Sequence, residues 1–429
     1  MASQQRQNEP APGAPFFTPK HCPGRAKQLT FNTPTIFRPL KLRGVTLRNR
    51  ICVSPMCQYS CAPSGPQVGV ITPLYLATLG HYAYKGAALV MVEATGVQPN
   101  GRISVNCPGL YNDTQEAGMR KLTDLVHSQC GLVGVQLSHG GRKSGTLAPF
   151  VAARLGQSSI KAAASEGGWP DNVVGPSGGA ANSFDGKGEE YCIPNEISKE
   201  AIRELVSNWA ESAKRAIRAG VDVLEIHGAH GYILHQFLSP ITNHRTDEYG
   251  GSFENRIRLL VEVVKAVRAV LPETTPLILR ISSTDWMEGS SKAKKFGSWE
   301  VESTIRLAKL LPDLGVDLLD VSSGGNVKDA PLTVFNAGLK HPDIAARIRR
   351  ALSEAGKNMR LGVVGLITTA QRARDLVQED SDNACADVVF VGRQFLKDPA
   401  FVLNTATELG VDVEWPIQIA RNEILNPKL

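Results

Sequence analysis

The chain has no CxxC pair, no unbroken apolar stretch of membrane length and no long run of like charge, and each absence removes a class of function. Its eight cysteines (Cys22, Cys52, Cys57, Cys61, Cys107, Cys130, Cys192 and Cys385) are scattered. That spacing argues against a disulfide scaffold or a zinc ribbon and reads most of them as small buried hydrophobes. A membrane helix needs roughly 18 consecutive apolar residues, which no segment approaches. The opening "MASQQRQNEPAPGAPFFTPK" lacks the charged-then-apolar order of a secretory signal, so a cytoplasmic protein without membrane partners is expected. The net charge of +6 comes from basic residues interspersed with acidic ones. Nucleic acid is therefore not an expected partner, whereas phosphorylated small molecules suit the modest positive field.

What is present is a long series of short β-branched runs. With 429 residues, 42% of them hydrophobic, the chain can bury one large core. After residues 1–33, read as a flexible extension rich in Pro, Gln and Gly, "TIFRPLKLRGVTLRNR" suggests a hairpin turning at Arg43-Gly44. Eight apolar runs follow: "ICVSP", "LVMVEATG", "LVGVQLSHG", "VDVLEIHG", "PLILRISS", "VDLLDVSSG", "LGVVGL" and "ADVVFVGR". Helical periodicity lies between them, as in residues 198–220, opened by Ser198 and closed by Gly220, and in residues 252–271. Eight strand–helix units predict an α/β fold, a (β/α)8 TIM barrel over residues 34–410, with a long excursion over Gly141–Asn195 after the third strand.

In such barrels chemistry collects at the C-terminal ends of the strands. The first run delivers Pro55, Met56, Cys57 and Tyr59 there, the second Glu93 to Thr95, and the third Gln136 and His139. His227, His230 and Tyr232 of "HGAHGY" follow the fourth, Arg280 the fifth, Ser323, Gly324 and Gly325 the sixth, Gly365 the seventh, and Gly392 and Arg393 the eighth. Glycines beside helix starts near Thr368 and after Arg393 can cradle a phosphate. Arg280, a cation inside a barrel, needs either a carboxylate partner or a bound anionic cofactor. His227 and His230 read either as two ligands of a hydrolytic metal or as N–H donors clamping a carbonyl or nitro oxygen, and Tyr232 as a proton donor. No strand end adds an HxH or a well-placed Asp with further histidines, so no complete metal set is expected.

The stretch "HGAHGYILHQFLSPITNHRTDEYGGSFENRIRLL" resembles the signature of the old yellow enzyme family of flavin-dependent ene-reductases. "NRICVSPMCQYS", "VEATGVQPNGRIS", "VQLSHGGRK", "LRISSTDW" and "VGRQFLKDP" support it over residues 34 to 421. Cys57 after "SPM" and the two histidines are similar to the thermophilic-like, bacterial-like branch. The resemblance implies bound FMN, NADPH as hydride donor and activated alkenes as substrates. It implies that Pro55, Met56, Cys57, Ala94, Gln136 and Arg280 contact the flavin, with Gly365, Gly392 and Arg393 at its phosphate and Ser323, Gly324 and Gly325 nearby. His227, His230 and Tyr59 would bind substrate, and Tyr232 would protonate it. "WPIQIAR" is similar to a family tail whose arginine enters a neighbouring subunit, which makes Arg421, in a tail spanning residues 411–429, a candidate finger and a homodimer or higher homo-oligomer an expected assembly. Ile419 stands where that tail commonly has tyrosine. A reductase, isomerase or desaturase specialised for one metabolite uses the same residues, and a metal-dependent hydrolase remains the more distant reading.

Overall fold

Strand-forming runs of Val, Ile and Leu separated by capped helices leave few ways to bury both faces of a parallel sheet, and closure is one of them. The computed structural model describes residues 21–333, 336–379, 381 and 384–420. A hairpin of β1 (Leu40–Leu42) and β2 (Val45–Leu47) comes first, with Arg43 in the left-handed region at φ 45°. The barrel strands are β3 (Ile51–Val53), β4 (Leu89–Gly96) and β5 (Leu132–Ser138), and, after a two-residue ladder of β6 (Val174–Gly175) with β7 (Asn195–Glu196), β8 (Val223–Gly228), β9 (Leu277–Ser282), β10 (Leu318–Ser322), β11 (Arg360–Val364) and β12 (Val388–Val391). All eight barrel pairings are parallel, and β12 closes on β3. The chain is a (β/α)8 barrel, and each of the eight β-branched runs supplies one strand.

The helices follow the expected punctuation. Ser198 accepts from Ala201 N at the start of the helix Lys199–Arg218, Gly220 at φ 86° follows its end, and Ser252 caps Phe253–Val270 in the same way. Such caps are worth about 1 kcal/mol each. The excursion after β5 is not featureless: it holds the helix Pro149–Arg154, several 3-10 turns and β6. Residues from the expected N-terminal extension lie along the barrel, with Gly24 N donating to Glu414 O and Ala26 bridging Val413.

Leu40, Leu42 and Leu47 of the hairpin pack with Leu89, Val223, Ile278, Leu318 and Val388, residues at the beginnings of their strands. The hairpin thus plugs the N-terminal end of the barrel with apolar side chains. Polar groups are left to the middle and to the opposite mouth.

Candidate active site

Two residues along the strands from the apolar plug, the barrel interior becomes charged. Gln136 on β5 donates from Nε2 to Glu225 Oε2 on β8 at 2.7 Å. Arg280 on β9 pairs with Asp320 on β10 through Nε and Nη2, donates to Ser54 Oγ at 3.0 Å, and has Glu225 Oε1 at 4.0 Å. Burial pulls the guanidinium down, but Asp320 and Glu225 outweigh it and hold Arg280 above its ordinary value. Burial pushes the Glu225 carboxyl up to about 8 and raises Asp320 as well, with Arg280 opposing both, so Glu225 holds a proton at neutral pH. Of the two partners the sequence left open for Arg280, the carboxylate is present in the protein. Opposite Gln136, the β4–β5 register slips between Val92 and Thr95, so that Glu93 and Ala94 face a single residue, a bulge of the kind that re-aims side chains near sites.

Above this layer a cavity of about 350 Å³ opens at the C-terminal mouth. It brings together Pro55, Met56, His230, Arg280, Gly365, Gly392 and Arg393 of the sequence candidates, with Ser54, Ser322, His341 and Thr368 beside them. Gly392 precedes the helix Arg393–Lys397 and leaves the wall open, since a Cβ there would meet nothing nearer than Met56 Sδ at 3.5 Å. The second helix start lies at Thr369, whose Oγ1 accepts from Arg372 N at 3.2 Å.

The hexapeptide "HGAHGY" ends β8 and forms a turn with His230 at φ 59°. The His227 ring lies edge-on to His230 and to Tyr232, with centroids 5.1 and 5.0 Å apart. His230 Nε2 shares a hydrogen bond with Ser322 Oγ at 2.7 Å, whereas His227 Nδ1 is buried without a partner. Burial, then neighbouring cations such as Arg280 and Lys143, push both imidazoles well below the usual histidine range, and burial holds the Tyr232 phenol well above the usual tyrosine range. Tyr232 packs in a small cluster with Cys57, Tyr59, Ala94, Ile103 and Cys107, and Tyr59 sits at φ 51°. The turn needs glycine at its contact with the loop after β10: a Cβ on Gly325 would stand 2.8 Å from His230 Cα, and one on Gly231 would stand 2.2 Å from Gly325 O.

Ser323, Gly324 and Gly325 lie on that loop. Ser323 Oγ accepts from Trp286 Nε1 and bonds His341 Nε2, while Gly324 O accepts from Ser282 Oγ. Arg421 lies outside the described residues. Sequence reasoning missed Asp320, Ser322, His341 and Lys143. Lys143 Nζ donates to the carbonyls of His230 and Gly325 at 2.9 Å, lies 5.2 Å from the Tyr232 ring centroid, and is pushed down to about 7 by burial and Arg142. Its place in "HGGRK", four residues after His139, was the available signal. Among the described residues only Cys57, Glu93 and Cys107 come together as three potential metal ligands, and this group contains neither His227 nor His230.

A parallel barrel whose mouth joins neutral imidazoles, a protonated phenol and a glycine-lined cavity defines a class of enzyme that holds a phosphorylated cofactor across the strand ends. Residues 35–410 match the NADH:flavin oxidoreductase / NADH oxidase family, and the chain belongs to that family. It is 42% identical over 98% of its length to an NADH:flavin oxidoreductase of Gibberella zeae, covering 96% of that protein. It is 39% identical over 90% of its length to an NADPH dehydrogenase of Listeria monocytogenes, covering 98% of that protein. Among solved structures, morphinone reductase in complex with tetrahydroNAD matches with a TM-score of 0.64 and 28% identity, over 90% of this chain and 93% of that one. The protein is a flavin oxidoreductase of the old yellow enzyme type, with FMN as cofactor and a reduced nicotinamide nucleotide as hydride donor. The unpartnered His227 Nδ1 and the open wall at Gly392 fit a polar cofactor and its ligand at this mouth. No helix among the described residues is long and apolar enough to cross a membrane.

Proposed function

We propose that the protein is an NADPH-dependent ene-reductase that reduces the C=C bond of α,β-unsaturated carbonyl or nitro compounds in the cytoplasm. The observation that carries this reading is the edge-on trio of His227, His230 and Tyr232, with His227 Nδ1 buried and unpartnered. FMN, when bound, supplies the hydride chemistry that links NADPH to the alkene. In this reading Pro55, Met56, Cys57, Ala94, Gln136 and Arg280 line the flavin, and Gly365, Gly392 and Arg393 hold its phosphate, with Ser323, Gly324 and Gly325 supporting the adjoining loop.

Substrate activation then falls to the imidazoles. Because burial keeps them neutral, each offers one N–H to a carbonyl or nitro oxygen without carrying a charge that would need a permanent partner. His230 exchanges its bond with Ser322 for one to the substrate. Tyr232 remains protonated at neutral pH and delivers its O–H proton to the carbon alpha to the activating group. Tyr59 positions the substrate, and Arg421, contributed by a second copy in a homodimer, closes the site.

The test is spectroscopic. Purified protein should show a flavin spectrum that bleaches with NADPH under anaerobic conditions and returns when cyclohexenone or a maleimide is added. Bleaching without recovery by either alkene would sink the ene-reductase reading and leave the flavin oxidoreductase in place.

A further inference from the structure

We propose that Cys57 and Cys107 form a reversible disulfide under hydroperoxide, which switches the candidate site off. The two Sγ atoms and a Glu93 carboxylate oxygen all lie within 4.8 Å of one another, although the cysteines belong to the separate loops that follow β3 and β4. The fold sets this approach. Cys61 N donates to Asn106 O at 3.0 Å and Asn106 Nδ2 donates to Cys61 O at 2.9 Å, so the loops are clamped together beside the pair. A disulfide then requires the two side chains to rotate until the sulfurs meet at about 2.0 Å.

The two sulfurs are not equivalent. Cys57 is half-buried and packs against Tyr59 and Tyr232, whereas Cys107 is fully buried, so a small oxidant reaches Cys57 first. Ser104 N donates to Cys107 Sγ at 3.4 Å, and Ser104 Oγ lies 3.7 Å away. Burial pushes the Cys107 thiol up, but hydrogen bonds from Cys57 and Ser104 outweigh it and hold that thiol below its ordinary value. The same hydrogen bond with Cys107, with burial, holds the Cys57 thiol well above its ordinary value, so Cys107 is the readier thiolate and is placed to act as the resolving sulfur. The nearby Cys61 is engaged with Tyr75 Oη at 3.6 Å.

In the first step the Cys57 sulfur attacks one peroxide oxygen as its proton passes to solvent. The O–O bond breaks, Cys57 becomes a sulfenic acid, and the departing oxygen takes a solvent proton as alcohol or water. In the second step the Cys107 sulfur, releasing its own proton, attacks Cys57; the S–O bond breaks and hydroxide leaves as water. Counted from two thiols, both sulfurs are oxidised by one electron each and one peroxide is reduced by two. Only the consequence for activity rests on the proposed lining role of Cys57; the disulfide rests on the geometry.

The experiment treats the holoenzyme with hydrogen peroxide, blocks remaining thiols with N-ethylmaleimide and digests with trypsin and chymotrypsin. Cleavage after Tyr59 separates Cys57 from Cys61, fragment spectra distinguish Cys57 from Cys52 within residues 51–59, and tryptic residues 103–120 contain Cys107 alone. The expected result is a Cys57–Cys107 cross-linked peptide together with lost NADPH turnover that dithiothreitol restores. In Cys107→Ser, Cys57 should proceed to sulfinic acid, and the loss should resist dithiothreitol. Alkylated Cys107 beside an over-oxidised Cys57 in the wild type would overturn the disulfide. A cross-link with undiminished turnover would overturn the switch and the lining role of Cys57. A preparation without NADPH turnover fails the functional reading, while its peptide map still decides the disulfide.

Discussion

Tyr232 is the residue on which the proposed proton step turns. Its phenol is buried beside the His227 ring, and burial, followed by Cys57 and Cys107, holds the proton on oxygen. Tyr232→Phe removes the donor while keeping the ring. It is expected to slow the alkene-dependent half-reaction by about a hundred- to ten-thousand-fold, the usual weight of general acid catalysis, and to leave flavin reduction by NADPH nearly unchanged. Stopped-flow traces of the two half-reactions decide it, and equal slowing of both would remove the assigned role. His227, His230 and Tyr232 were legible because they follow a β-branched run within six residues. Asp320 was not, because an aspartate inside "VDLLDVSSG" reads the same whether it faces solvent, a helix or the barrel axis. Its meaning comes from Arg280, which is distant in sequence and is brought beside it by the β9–β10 register.

At the scale of the element, strand existence was readable and strand irregularity was not. Runs of Val, Ile and Leu of barrel length announced all eight strands, but nothing in "LVMVEATG" announces the bulge at Glu93 and Ala94, which depends on what β5 places opposite. Glycines within strands were equally opaque. Gly362 pairs with Asp320 and Val388, and an added Cβ would stand 2.6 Å from Phe390 Cε2, a rigid ring whose other neighbours include the Arg280 guanidinium at 5.7 Å. Gly362→Ala must therefore displace Phe390 from the apolar layer or shift β11. The expected cost is about 1–3 kcal/mol, as for other overpacked cores, and it should appear as a lower urea midpoint with unchanged slope. A midpoint equal to wild type would show that the ring moves freely and that this layer is looser than its geometry implies.

For the whole molecule, the barrel concentrates neutral imidazoles in its buried upper half, and folding therefore depends on pH. His139, at the end of β5, is the clearest case: Gly141 N donates to Nδ1 at 3.1 Å, Nε2 is buried without a partner, and burial pushes the pKa from 6.5 down to about 4. Between those values the unfolded chain binds a proton that the folded chain refuses. Stability from this group is full above pH 6.5 and is lost as the pH falls toward about 4. With about 1.36 kcal/mol per pKa unit, the loss is about 3 kcal/mol. The buried carboxyls act in the opposite sense, since Glu225 at about 8 favours folding as pH falls, so the total curve does not isolate one histidine. The comparison with His139→Gln does, because every other group titrates in both proteins. Urea unfolding at about pH 7 and about pH 4 should show the wild type losing about 3 kcal/mol more than the variant, whatever the variant's own baseline. Parallel losses in the two proteins would mean that His139 takes up its proton in the folded barrel, and that the mouth is wetter than its packing indicates.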